Sequence, residues 1–361
     1  MSGLNIPFTG LKKQYLNLRS EILEVTDQVY SSGYLMDGGY TTKFENWLSR
    51  RNGCKYSITC HSGTQALEII AAYYAQKLKS ETPPKALIPT LTYVATANAF
   101  IRNGWDVTLV DTDNYGIINI NSITQNLDIQ ATIVVGLYGA APGHNLSYKS
   151  SICIEDAAQH WLGSDNLRLG NSAAISFDPM KNLSNYGNGG AVITNELDLI
   201  EFARQWRNNG KSTHRETGTN SRMSEIDCAQ MMIKTKYIDE WQKRRGEIAK
   251  YWISRLKDAS IRTLIDDNNF HHHSFHKFVI DLDHRDIIKK NLDLCNIETK
   301  IHYEYPLHEL PAYFHLDAPD KFSVASSLCK RVLSLPIYPE LTDIEVEYIV
   351  DSVIDCVSQI N

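Results

Sequence analysis

Short runs of consecutive apolar residues recur along the N-terminal half of the chain, at 58–60, 86–88, 107–110, 132–137, 152–154, 173–177 and 191–194. Helix-length connections separate them. After the first run, Ala66, Leu67, Ile69, Ile70, Tyr73 and Tyr74 recur at helical spacing. Strands that are apolar on both faces are buried on both faces, so the pattern predicts a mostly parallel sheet covered by helices. Ligands of such sheets bind beyond the carboxyl ends of the strands. Upstream, Ile22, Val25, Val29 and Tyr30 predict an entry helix, broken at Ser32-Gly33 and again at Gly38-Gly39. A second amphipathic helix carries Phe44, Trp47 and Leu48.

Beyond Thr194 the period lengthens. Within 225–256 a helix dense in charge (Asp239, Glu240, Lys243, Arg244, Arg245, Glu247) is predicted to link a large domain, 1–245, to a small C-terminal one, 246–361. The small domain has strand signals at 275–282 and near 300–303. A final amphipathic helix follows the turn LPIYPELT.

Composition narrows the functional classes. Hydrophobic residues at 43% and charged residues at 22% describe an ordinary globular protein. A net charge of −6 argues against nucleic-acid or anionic-membrane partners, so a phosphate-bearing ligand must be held by local groups. Seven cysteines, odd in number and without a CxxC pair, fit reduced thiols. No secretory signal pattern and no run of eighteen apolar residues is present, and the expected location is cytoplasmic.

Four features at predicted strand ends suggest chemistry. In SFDPMKN, Lys181 follows a buried strand, where an amine that loses hydration becomes a nucleophile toward carbonyls. Pyridoxal phosphate is the cofactor most often held by such a lysine, as a Schiff base. Ser62-Gly63-Thr64 opens a helix whose N-terminal amides make a phosphate cup. Glu155-Asp156 ends another strand, where a carboxylate keeps a pyridine nitrogen protonated. Tyr93 ends a further one and can stack on a flat ring. Each has an ordinary structural explanation by itself: a snorkelling lysine, an N-cap, a helix-capping acid, a packed tyrosine. Their order along one alternating chain is what points to a cofactor site. His271, His272 and His273, with His276, raise a metal reading. They flank a small-domain strand, where exposed polar residues are ordinary, and no metal is expected.

HSGTQALE, IPTLTYVATANAF, IEDAAQH, SFDPMKN, GTNSRMSEIDCAQ, IHYEYPLHELPAY and VLSLPIYPELT together span nearly the whole chain. The sequence resembles the DegT/DnrJ/EryC1/StrS family of pyridoxal-phosphate-dependent sugar aminotransferases. The resemblance implies an α/β chain with the fold of aspartate aminotransferase (fold type I): a large domain on a seven-stranded, mostly parallel sheet, plus a small α+β domain. It implies that Lys181 carries the Schiff base, Asp156 pairs with the pyridinium nitrogen, Tyr93 stacks on the ring and Gln159 reaches the ring hydroxyl. Gly63, Thr64 and Ser176 would hold the phosphate. Asn220 would be lent to the phosphate of a neighbouring subunit, making a homodimer with shared sites. Glutamate would give its amino group and leave as 2-oxoglutarate, and a nucleotide-linked ketosugar would receive it.

The KNLSNYGNGG, NSRMSE and IHYEYPLHELPAY segments resemble the branch that aminates C3 of dTDP-3-keto-6-deoxyhexoses, for surface polysaccharides or glycosides. MDGGYTTKFENWL and VATANAF are as similar to the branch acting at C4 of dTDP- or UDP-4-keto sugars. Tyr303 and His308 are the candidates for the sugar side. Two departures stand out: Asn188 where the family usually has an acid, and GLYGAAPG where it has HLYGQP-like wording. Dehydratase relatives carry histidine at the position of Lys181. A non-catalytic regulator on this fold would be free to lose Lys181, Asp156 or the phosphate cup.

Overall fold

The computed structural model describes residues 4–360 apart from 120–127, 143–149, 164–169, 212, 216 and 317–320. Helices α1 (Leu11–Ser32) and α2 (Gly39–Arg51) form where the helical spacing predicts them, and α1 stops at Gly33, whose φ of 70° is left-handed. Glycine takes that conformation without steric cost.

Seven strands follow: β1 (Tyr56–Cys60), β2 (Lys85–Pro89), β3 (Asp106–Val110), β4 (Ala131–Val135), β5 (Ile152–Asp156), β6 (Ser172–Ser176) and β7 (Gly190–Thr194). They form one sheet in the order β1-β7-β6-β5-β4-β2-β3, parallel except that β7 runs against both neighbours. All residues of β4 to β7 are buried. Side chains alternate between the two faces, as strand geometry requires. Ile133, Val135, Ala174 and Val192 join the cluster beneath α3 (Gly63–Leu78), α4 (Val94–Arg102) and α5 (Leu197–Trp206). Ala173, Ile175, Ala191 and Ile193 face the other way, against Phe44 and Leu48 of α2.

Two further helices, α6 (Glu225–Lys234) and α7 (Ile238–Asp258), occupy the charge-dense stretch. Then come β8 (Arg262–Thr263), β9 (Phe278–Asp281), α8 (Arg285–Leu294), α9 (Ser323–Arg331), β10 (Val332–Leu335) and α10 (Asp343–Ser358). A second, antiparallel sheet has the order β10-β9-β8. Helix α10 starts with a capping box, Thr342 and Glu345 satisfying each other's backbone amides.

Helix α7, in which the expected 245/246 boundary lies, packs Ile238 into the sheet core and Ile248, Ala249, Trp252 and Leu256 into the C-terminal core. Two details differ from the sequence reading. Ile6, assigned by position to the first domain, is fully buried in that C-terminal core and pairs with Ile297. Residues 300–303 form no strand. Lys300 alone exchanges backbone hydrogen bonds with Ser334, and the chain then turns to carry His302 and Tyr303 toward the large sheet.

Candidate active site

Because β7 reverses direction twice over, β1 and β6 point the same way as β5, β4 and β2, and their carboxyl ends open on one cavity of about 310 Å³. That volume is the scale of a small-molecule site. Ser62, at the end of β1, caps α3 by accepting from the Gln65 amide at 3.1 Å. The amides of Gly63 and Thr64 belong to the first turn and have no intrahelical partner, so they are available to an anion. A side chain at Gly63 would place its Cβ 2.6 Å from Ser176 Cβ, and one at Gly190 would lie 2.3 Å from the Ser62 carbonyl. The glycines let β7, β6 and the start of α3 close on one another, which brings Ser176 to the same cup as Gly63 and Thr64.

Asp156 ends β5 and is buried. Its Oδ2 accepts from Thr96 Oγ1 at 2.7 Å, its Oδ1 from the Ala158 amide at 3.2 Å, and Thr96 is held in turn by Thr92 Oγ1 at 2.9 Å. Lys181 sits in a turn after β6, where Asp178 accepts from the Met180 amide through Oδ1 and from the Lys181 amide through its carbonyl. Loss of hydration pushes the Lys181 amine below the ordinary lysine range, while the charges of Asp156 and Asp178 oppose that fall. The result is a nucleophilic amine facing a carboxylate across one cavity.

Gln159 accepts from the Tyr138 amide at 2.8 Å and donates to the Tyr303 hydroxyl at 3.3 Å. Tyr303 is half-buried in the cavity wall and Tyr93 is exposed at its rim, their rings 6.1 Å apart. Burial raises the Tyr303 phenol well above its usual range, so it stays protonated. Tyr138, in the divergent GLYGAAPG stretch, donates its hydroxyl to the His302 carbonyl at 2.5 Å. That stretch therefore braces Gln159 on one side and the His302 segment on the other. Gly143, its last residue, lies outside the described residues. Asn188 lines the cavity as well as shaping its turn, where its carbonyl accepts from Asn185.

Two sequence candidates do not line the cavity. His308 is fully buried between Thr90 Oγ1 (2.7 Å) and Ser326 Oγ (3.2 Å), its ring 4.6 Å from Phe322. It ties the segment after Tyr303 to the end of β2. Asn220 is exposed and pairs with Asn208 by backbone.

The histidine run is not the exposed cluster expected. His271 and His272 are exposed, whereas His273 and His276 are buried because the chain dives into the core at β9. His276 lines the cavity with Lys277 and His302. Sequence reasoning missed Lys277, His302 and Thr96, and named His276 only within the metal reading. The signal available was the pair His276-Lys277 immediately before the apolar run 278–280. Desolvation and mutual repulsion hold His302 down at about 3 and push the Lys277 amine far below its usual range.

An amide cup with a hydroxyl, a buried carboxylate, an aromatic rim and a depressed amine fit the phosphate, ring nitrogen, ring face and aldehyde of pyridoxal phosphate. Site and architecture together define a pyridoxal-phosphate-dependent transferase of the aspartate aminotransferase type. The chain belongs to the DegT/DnrJ/EryC1/StrS aminotransferase family, whose profile matches residues 17–354. It is 33% identical to a dTDP-3-amino-3,6-dideoxy-alpha-D-galactopyranose transaminase of Aneurinibacillus thermoaerophilus, over 96% of this chain and 98% of that one. It is 31% identical to the erythromycin biosynthesis sensory transduction protein EryC1 of Saccharopolyspora erythraea, over 94% and 96%. Among solved structures, S. venezuelae DesV in complex with a ketimine intermediate superposes with a TM-score of 0.90 at 27% identity, covering 99% of this chain and all of that one.

Proposed function

We propose that the protein transfers the amino group of glutamate to C3 of a dTDP-3-keto-6-deoxyhexose, giving a dTDP-3-amino-3,6-dideoxyhexose for a surface polysaccharide or glycoside. The observation that carries the reading is the convergence of Lys181, Asp156 and the α3 N-terminus on one cavity. The 3-amino product named for the A. thermoaerophilus relative supports C3 over C4.

When bound, pyridoxal phosphate supplies an aldehyde that captures amines and a ring that draws off the electron pair of a broken Cα–H bond. The chain supplies the rest. Gly63, Thr64 and Ser176 hold the phosphate, and Asp156, fixed by Thr96, keeps the ring nitrogen charged. Tyr93 covers a ring face and Gln159, locked by Tyr138 and Tyr303, meets the ring hydroxyl. The Lys181 amine anchors the cofactor, then takes the proton from the donor's α-carbon and returns one to C3 of the sugar. Tyr303 stands on the sugar side.

Asn220 completes the phosphate site of a second copy, in a homodimer. The exposed side chains of Tyr30, Tyr34, Leu35 and Met36 at the end of α1 give such a dimer an apolar surface to bury. The protein works in the cytoplasm, consistent with seven free cysteines.

The test is spectroscopic. Glutamate should bleach the yellow holoprotein, and a dTDP-3-ketosugar should restore the colour. Restoration by a 4-ketosugar alone moves the reaction to C4. No bleaching by any amino donor removes the proposal.

A further inference from the structure

Behind Lys181, on the side away from the large cavity, lies a separate small chamber of about 30 Å³. Met180, Lys181, His276 and Lys277 form the partition, lining both spaces. At its far end, Gln14 of α1 and Glu340, just before α10, line both the chamber and an open groove of about 560 Å³ on the surface. The Gln14 amide donates to Glu340 at 3.2 Å across that end.

The chamber wall carries unspent hydrogen-bonding capacity. Among the described residues, Gln14 Oε1, Asn182 Oδ1, Arg245 Nε, His276 Nδ1 and the Tyr338 hydroxyl are buried without a hydrogen-bond partner, and all five residues line this chamber. Buried polar atoms are rarely left so, and several around one void mark a water site. A water needs about 10–15 Å³ of such space, so there is room for about two. The mixture of donors and acceptors suits water, which gives and takes, better than an anion, which only takes.

We infer that the chamber holds ordered water that connects the Lys181 amine to Glu340, and that Glu340 exchanges protons between this water and the surface groove. The inference rests on the proposed proton-carrying role of Lys181. When substrate fills the large cavity, the chamber is the other face on which Lys181 meets water. A proton leaves the Lys181 ammonium for the nearest chamber water, which passes one on to the Glu340 carboxylate, and the carboxyl then loses a proton to the groove. One proton departs and one appears outside, with no bond to carbon changed. Burial raises the affinity of Glu340 for a proton, while Arg245 from α7 and Lys234 from α6 oppose that rise. Glu340 is thus a positioning residue that acts through water.

High-resolution crystals of the intact chain test the chamber itself. Ordered waters should lie within hydrogen-bond distance of at least two of the five unpartnered atoms. A chamber closed by side chains pairing with one another overturns the inference, whatever the protein's substrate. The exchange role is read in the holoenzyme with α-deuterated glutamate, as the share of deuterium kept on the cofactor's amine carbon after one half-reaction. Glu340→Gln preserves shape and removes the exchangeable group, and should raise that share at least threefold. Tyr338→Phe, which removes one water anchor, should raise it too and serves if the first variant misfolds. Equal retention in wild type and variants overturns the exchange role. A wild type that performs no half-reaction with glutamate refutes the proposed donor instead, and the crystals still decide the chamber.

Discussion

An amine and a carboxylate share the large cavity. Asp156 is held by two hydrogen bonds from neutral donors, which fix its direction. Lys181 is crowded into a weaker base than a surface lysine. A third ionisable group, Lys234, shows the same physics without access to the cavity. It is fully buried, donates to the Ser184 carbonyl at 2.6 Å and lies 3.8 Å from the Tyr186 ring centroid. Desolvation lowers it from 10.5 to about 7. The unfolded chain therefore binds one more proton than the folded chain between pH 7 and 10.5. The contribution to stability rises with pH through that window, and the full penalty stands below it. Lys234→Met should reduce the slope of unfolding free energy against pH by about 1.4 kcal/mol per unit there. Denaturant melts at a series of pH values measure it, and an unchanged slope contradicts a neutral buried Lys234.

At the scale of elements, what matters is how closely α3, β6 and β7 approach. Gly63 sits where a Cβ would overlap Ser176, so the phosphate cup exists only because that position has no side chain. Gly63→Ala must push α3 away from β6, and overpacking of this kind costs about 1–3 kcal/mol. Pyridoxal phosphate should bind at least about tenfold more weakly, equivalent to ~1.4 kcal/mol, measured by fluorescence titration of the apoprotein. Unchanged affinity would show that the phosphate lies elsewhere. This element was legible in the sequence because a strand end, a glycine and a capping hydroxyl are local neighbours. The Lys300 region was not, since its single bridge to Ser334 depends on a strand distant in the chain.

For the whole molecule, the proposal makes each site depend on two copies. Chains carrying Lys181→Ala and chains carrying Asn220→Ala should each be inactive, the first because it lacks the proton carrier. Unfolded together and refolded in equal amounts, they should regain about a quarter of wild-type activity. Half the dimers are then mixed, and each mixed dimer has one site with both residues intact. If Asn220 serves its own subunit, mixing restores nothing.

By itself the sequence determined the sheet strands, the order of the chemistry along them and the family. Strands apolar on both faces have one stable place, a covered sheet, and Asp156 lies at the end of such a strand, Gly63 and Lys181 shortly beyond one. Tertiary structure alone decided which residues from elsewhere complete the site. His276, Lys277 and His302 enter the cavity while His308 turns into the core, although all four are polar residues in short connections. Burial belongs to the packed molecule: the same imidazole reads identically in a sequence whether a cavity or Phe322 lies beside it, and only the folded chain supplies its neighbour.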